Sequence, residues 1–150
     1  MTGRRLKIAG AGPEYGRLRA MAAANVEFLG RVTDAELREL YARCRAFLLP
    51  GEEDFGLTPV EAMASGKPVV ALGRGGALET VPEFGGVFYD EPAALAAAIE
   101  RLETLESSGR RRCHKELTFE NSPRPRVYWS SHEACWHRPR SRARSADLAP

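Results

Sequence analysis

An α/β fold built on an open parallel sheet, with helices on both faces, is predicted for this chain by three observations. Short apolar runs alternate with stretches of helical periodicity five times between residues 6 and 106. The run Pro68-Val69-Val70-Ala71-Leu72 is apolar without a break, as a parallel strand buried on both faces would be. Glycines and prolines punctuate the ends of the runs and open the helical stretches behind them. In such sheets the ligand site lies at the carboxyl ends of the strands, so the loops after each apolar run are where function is sought.

The elements follow in order. Leu6 to Ala9 reads as a strand broken by Gly10-Ala11-Gly12-Pro13, and Glu14 to Ala24 as the helix that the turn opens. Val26 to Leu29 is a second strand, closed by Gly30. Thr33-Asp34-Ala35-Glu36 has the form of a capping box, and the helix behind it places Leu37, Leu40, Tyr41 and Cys44 on one face. Ala46 to Leu49 is a third strand, ended by Pro50. Thr58 to Ser65 reads as a helix with Pro59 at its first position and Gly66 past its end. Strand Pro68 to Leu72, helix Ala77 to Val81, strand Gly86 to Tyr89 and an Ala/Leu-rich helix from Pro92 to about Glu106 complete the series.

The chemistry changes near residue 106. Residues 1–106 carry 12 Lys/Arg against 16 Asp/Glu, whereas residues 107–150 carry 10 against 4. The second stretch also holds Trp129, Trp136, His114, His132, His137, Cys113 and Cys135, and shows neither helical nor strand periodicity. It is expected to be a basic, irregular and mostly disordered tail, of the composition that a shifted reading frame in a GC-rich gene would produce. Residues 1–106 are expected to form the folded domain. Three cysteines outside any short secreted scaffold argue against a disulfide framework and for a reducing, cytoplasmic setting. No apolar run approaches the roughly 18 residues of a membrane span, and the start MTGRRLKIAG is too short in apolar residues for a secretory signal.

Two stretches invite a chemical reading. Gly10-Ala11-Gly12 follows a strand, but the third glycine of a dinucleotide fingerprint would fall at Tyr15, so a tight turn suffices to explain it. The block from Glu53 to Glu61 is more specific. Glu53 follows a strand end, Gly56 permits close approach of the backbone, and the amides of Phe55, Gly56 and Leu57 precede a helix N-terminus, where free N–H groups and the helix dipole suit a diphosphate. Glu61 lies one turn into that helix, and carboxylates accept hydrogen bonds from sugar hydroxyls. Thr58-Pro59-Val60-Glu61 is also a capping box, so Glu61 has a purely structural alternative. Lys67 falls at the far, exposed end of the helix. Arg74, beside Gly75-Gly76 at a strand end, is the better placed cation.

Taken together, these segments resemble the retaining glycosyltransferases of family 4, also called group 1, whose fold is the two-domain GT-B. Gly10-Ala11-Gly12-Pro13 is similar to the family's glycine-proline turn, Asn25 through Val32 to its "nv-flG-v" segment, and Glu36-Leu37 with Leu40-Tyr41 to the helix that follows. Pro50 through Val70 matches the most diagnostic block, and Gly75-Gly76 with Glu79 the later "gG..E" element. The resemblance covers about 100 of the 150 residues. It implies the Rossmann-like C-terminal half of a GT-B enzyme, with Glu53 as the catalytic-site carboxylate contacting the donor hexose. It also implies that Glu61 contacts the nucleotide ribose, that the amides of Phe55, Gly56 and Leu57 hold sugar and diphosphate, and that Arg31 and Val32 flank the base.

The resemblance further implies a UDP-, GDP- or ADP-sugar as donor, a saccharide or lipid-linked acceptor, no metal and no other cofactor. No Asp-x-Asp motif is present, in keeping with leaving-group stabilisation by protein charges and dipoles. The family's cationic Arg–Lys pair lies upstream of the glycine-proline turn and has no counterpart here, nor has its acceptor-binding N-terminal domain. The chain is therefore expected to be a fragment that is inactive alone. A non-catalytic nucleotide-sugar-binding remnant and a fragment of a GT-B sugar-nucleotide epimerase remain as alternatives. Zinc at Cys113, His114, His132 and Cys135 fits no closed ligand spacing. Nucleic-acid binding by the arginine-rich tail lacks a recognisable module, so nucleic acid is not expected as a partner.

Overall fold

The computed structural model describes residues 4–107 and, as backbone, residues 133–137. Five strands run parallel: β1 (Arg5–Ala9), β2 (Val26–Gly30), β3 (Ala46–Leu49), β4 (Val69–Leu72) and β5 (Gly86–Tyr89). They alternate with α1 (Tyr15–Met21), α2 (Asp34–Arg43), α3 (Leu57–Ala64), α4 (Ala77–Thr80) and α5 (Leu95–Ser107), the last preceded by a 3₁₀ turn over Pro92–Ala94. The fold is the α/β, Rossmann-like sheet that the alternation predicts.

Successive side chains of β3 and β4 pass to opposite faces, as the strand period requires. Phe47, Leu49, Val69 and Ala71 pack beneath α2, α3 and α4 with Leu37, Tyr41, Ala62, Met63, Ala77 and Val81. Ala46, Leu48 and Val70 face the other way, joining Val87, Tyr89 and the α5 residues Ala98 and Leu102. All four residues of β3 are buried, which explains why these strands read as continuous apolar runs. On the outer half of the sheet, Tyr15 of α1 meets Phe28 of β2 edge-on with ring centres 5.5 Å apart.

The sheet order is β2-β1-β6-β3-β4-β5, and β6 (Glu133–His137) comes from the stretch expected to be irregular. It lies antiparallel to both neighbours, Leu6 opposite Trp136 and Phe47 opposite Cys135. Five residues carry too little alternation to stand out among the flanking arginines and prolines, which is why periodicity left them without an element. The disorder expected for the rest of the tail, and the zinc and nucleic-acid readings placed on it, lie outside the described residues. Among the described residues, no helix is long and apolar enough to cross a membrane.

Candidate functional site

Parallel strands deliver the loops after β1, β2, β3 and β4 to one edge of the sheet, and the candidate residues are distributed over the last three of them. The loop after β3 is the most constrained. Gly56, the N-cap of α3, is left-handed at φ 67°, ψ 70°. A methyl group built there would also meet Pro59 Cγ at 3.1 Å and stand 3.7 Å from Glu53 Oε2. Glycine is thus required by conformation and by space. The same distance places the Glu53 carboxylate beside the start of α3.

The loop after β4 packs directly on this backbone. The Gly76 N–H donates to the Glu53 carbonyl at 2.7 Å, and a methyl group on Gly76 would fall 2.4 Å from the Asp54 carbonyl oxygen. Two glycines in succession let the two loops touch, so the Gly75-Gly76 element supports the Glu53 loop from behind. Arg74 is exposed, and its guanidinium reaches the Asp90 carbonyl after β5 at 3.4 Å. It therefore stands at the correct edge, with its charge turned toward the end of β5.

The end of α3 is closed by two hydrogen bonds, from the Gly66 N–H to the Met63 carbonyl and from the Lys67 N–H to the Ala62 carbonyl. Its start differs from the sequence expectation. Pro59 is the third helical residue, and the cap is Gly56, which has no side chain to offer. Thr58 is buried within the first turn, and its hydroxyl has no hydrogen-bond partner among the described residues. The capping-box alternative for Glu61 is therefore not realised. The first amides of α3 lie beyond the reach of intrahelical carbonyls and point out of the helix start. Lys67, expected to be exposed, is partly buried.

Glu61 instead looks across to α2. Tyr41 Oη lies 3.5 Å from Glu61 Oε2, and Tyr41 is buried with its ring edge-on to Phe47. The Glu61 carboxyl is pushed above its ordinary range by partial burial, an effect opposed by the Tyr41 hydroxyl and reinforced by the Asp34 carboxylate at the head of α2. Asp34 and Tyr41 are the residues that sequence reasoning did not connect to the site. Helical spacing puts Tyr41 on one face with Leu37, Leu40 and Cys44, but nothing local to the sequence points from it to a carboxylate 20 positions away.

Arg31 and Val32 lead from β2 into α2, whose start is fixed by the predicted capping box: the Thr33 hydroxyl accepts from the Glu36 N–H while Glu36 Oε2 accepts from the Thr33 N–H at 2.7 Å. Val32 packs against the cluster that contains Tyr41 and Ala62, which brings the loop after β2 toward Glu61. Arg31 is exposed and lines an open groove of about 590 Å³ together with Val32, Lys7, Glu36, Glu39 and Arg43. The residues from Glu53 to Glu61 lie outside that groove. Phe55 and Leu57 are exposed, at 61% and 37%, along the helix start. Two groups therefore emerge: Glu53, Phe55, Gly56 and Leu57 around the head of α3, and Arg31 with Val32 at the groove beside α2, where Val32 alone packs toward the core under Tyr41. Arg74 flanks the first.

A doubly wound sheet whose loops after β2, β3 and β4 bring the candidate residues to its carboxyl edge defines a Rossmann-like α/β protein. The family described as glycosyl transferases group 1 matches residues 2–104, and the chain belongs to that family. A GDP-mannose-dependent alpha-(1-6)-phosphatidylinositol dimannoside mannosyltransferase of Mycobacterium tuberculosis is 34% identical over 113 residues, which is 73% of this chain and 30% of that protein. An alpha-1,3/1,6-mannosyltransferase of Kluyveromyces lactis is 43% identical over 65 residues, covering 42% of this chain and 13% of the relative. A sulfoquinovosyl transferase of Arabidopsis thaliana is 37% identical over 84 residues, covering 52% and 16%. The chain thus spans less than a third of the length of these relatives.

Proposed function

We propose that the chain is the donor-binding domain of a retaining hexosyltransferase of family 4. In this reading it binds a nucleoside diphosphate sugar, and the parent enzyme transfers the hexose to a saccharide or lipid-linked acceptor. The observation that carries the proposal is the head of α3, where a left-handed Gly56 lets the backbone come close and the Glu53 carboxylate stands beside the first turn. A helix start offers N–H donors and a positive dipole end to a diphosphate, while a neighbouring carboxylate accepts from hexose hydroxyls.

The roles follow. Glu53 contacts the hexose, and the amides of Phe55, Gly56 and Leu57 hold the sugar and diphosphate. Glu61 accepts from the ribose, Arg31 and Val32 flank the base, and Arg74 adds positive charge at the edge. Leaving-group stabilisation and positioning carry the catalysis, without a metal. The mycobacterial relative is named as GDP-mannose-dependent and as acting on a phosphatidylinositol dimannoside. That supports GDP-mannose as the first donor to test, among UDP-, GDP- and ADP-sugars. The acceptor is held by an N-terminal domain in the parent enzyme, which works in the cytoplasm, peripherally at the inner membrane face. The chain alone binds donor without turning it over.

Ligand-observed NMR with a panel of UDP-, GDP- and ADP-sugars tests the reading. Binding of one class by the wild type, weakened about tenfold or more in Glu61→Ala, is expected for loss of a charged hydrogen-bond acceptor. Absence of binding by every member of the panel overturns it.

A further inference from the structure

Tyr41 belongs to none of the roles above, yet it is buried to 2% exposure and its hydroxyl reaches a carboxylate at the site. We infer that Tyr41 is a positioning residue for the donor site, whose hydroxyl holds one oxygen of Glu61 so that the other is turned to the ribose diol. The inference rests on the proposed contact between Glu61 and ribose.

Two features make Tyr41 suited to the task. Its ring is fixed, edge-on to Phe47 at 5.9 Å between centres and enclosed by the core beneath α2 and α3. Its helix is fixed too, since the capping box at Thr33 and Glu36 sets the start of α2. The direction of the hydroxyl is therefore determined by the core and not by the ligand. Glu61, by contrast, is a three-torsion side chain at the margin of the core, and ordering it unaided would cost rotamer entropy at the moment of binding. A carboxylate has two oxygens and about four acceptor positions, so engaging Oε2 leaves Oε1 with its full capacity for the two hydroxyls of a ribose.

The separation of 3.5 Å is long for an O–H···O bond, whose usual range ends near 3.0 Å. Hydrogen bonds at binding sites are commonly long before the ligand arrives and tighten with it. Asp34 sharpens the argument. Its charge disfavours ionised Glu61, and the Tyr41 hydroxyl is the group that favours it. Without the hydroxyl, the carboxylate would face burial and a like charge with less to hold it in the accepting form.

The test uses the full chain and compares GDP, UDP and ADP with their 2′,3′-dideoxy counterparts, by titration calorimetry at pH 7.5, in wild type, Tyr41→Phe, Glu61→Ala and the double variant. The wild type is expected to prefer the ribose form of one nucleotide. Tyr41→Phe, which keeps the ring, should lose about fivefold in affinity for the ribose form, the scale of one hydrogen bond to a charged group, and nothing for the dideoxy form. Glu61→Ala should abolish the preference, and adding Tyr41→Phe to it should change nothing further. A purely structural role would lower both forms together, and that result overturns the inference. A wild-type preference retained in full by Tyr41→Phe also overturns it, leaving the donor-site reading intact. A wild type that shows no preference for ribose removes the Glu61 contact itself, and the inference falls with it.

Discussion

At the scale of single residues, the chemistry concentrates on Glu61, and its environment has a measurable consequence. Partial burial is the largest influence on its carboxyl and raises it above the ordinary 4.5, with Asp34 adding to the shift and Tyr41 opposing it. A carboxyl raised in the folded state holds its proton more tightly there than in the unfolded chain. Its contribution to stability is fully present below the unfolded value and is lost as pH rises through the folded one. Glu36 has the opposite sign, because the Thr33 N–H, then the Thr33 hydroxyl, favour its charged form. Its contribution is present above the unfolded value and is lost as pH falls through the folded one. The two effects occupy different windows, Glu61 above 4.5 and Glu36 below it. Urea midpoints measured from about pH 4 to about pH 8 should therefore fall more steeply above 4.5 in wild type than in Glu61→Gln; parallel curves would show that the carboxyl is not held out of water. The sequence named Glu61 but supplied the wrong local partner. Thr58 sits at the spacing of a capping box, yet Gly56 takes the cap and Thr58 is drawn into the first turn with its hydroxyl unpaired among the described residues. Spacing alone does not distinguish these, because the choice depends on where the chain can turn left-handed, and only the glycine does so at little cost.

At the scale of elements, the two loops after β3 and β4 act as one piece, and a single methyl group tests this. In the sequence, Gly75-Gly76 stands at a strand end and, with Glu79, is similar to the family's "gG..E" element. The structure makes the pair a close-packing surface, with the built methyl at Gly76 only 2.4 Å from the Asp54 carbonyl oxygen and 2.7 Å from Phe55 Cα. The obstacle is backbone, which moves only if the Glu53 loop moves. Gly76→Ala is therefore expected to cost about 2 kcal/mol, within the usual range for overpacking a close contact, and to lower donor affinity through displacement of Glu53 and Phe55. Equilibrium urea denaturation measures the first effect and the NMR titration the second. A variant as stable as wild type, with unchanged binding, would mean that the loops are not coupled. The strands themselves were legible because burial on both faces writes itself into the sequence as unbroken apolar runs: β3 and β5 fall where Ala46 to Leu49 and Gly86 to Tyr89 predicted them. Helix ends were less so. The α1 helix stops at Met21 rather than Ala24, because an Ala-rich stretch has helical propensity without any signal of where it should end.

At the scale of the whole molecule, the decisive fact is the position of β6. Strands β2 and β1 form one parallel unit, β3, β4 and β5 another, and among the described residues β6 is the strand that touches both. A doubly wound sheet reverses its strand order at this point, and here the reversal is filled by an antiparallel strand. The sequence made the two units visible, since each is a run of alternating strand and helix, but the join was illegible: it is supplied by residues 133–137, which show no period and arrive after a long gap in the chain. Apart from β6, α5 also bridges the two units, through Arg4 of the first and Arg45 of the second. Arg4 meets Glu103 at 2.6 Å, while Arg45 meets Glu103 at 3.3 Å and Glu106 at 2.8 Å. These pairs are partly exposed, and such pairs contribute about 1 kcal/mol at most each. The β6 ladder runs along five residues of β1 and three of β3, and each backbone bond nets about 1 kcal/mol, so the ladder outweighs the ion pairs. Removing residues 108–150 should thus leave a chain in which β4 and β5 keep their amide protection while the facing edges of β1 and β3 lose theirs. Two apolar edges exposed in this way favour pairing with other chains, so the shortened protein should also self-associate as its concentration rises. Hydrogen exchange at Lys7, Ala9, Ala46 and Leu48, whose amides face β6 because those of Leu6 and Phe47 donate to the Asn25 and Pro68 carbonyls on the other side, gives the answer together with sedimentation of both forms. Unchanged protection and a monomeric shortened chain would show that the first 107 residues close their own sheet and that β6 adds nothing to it.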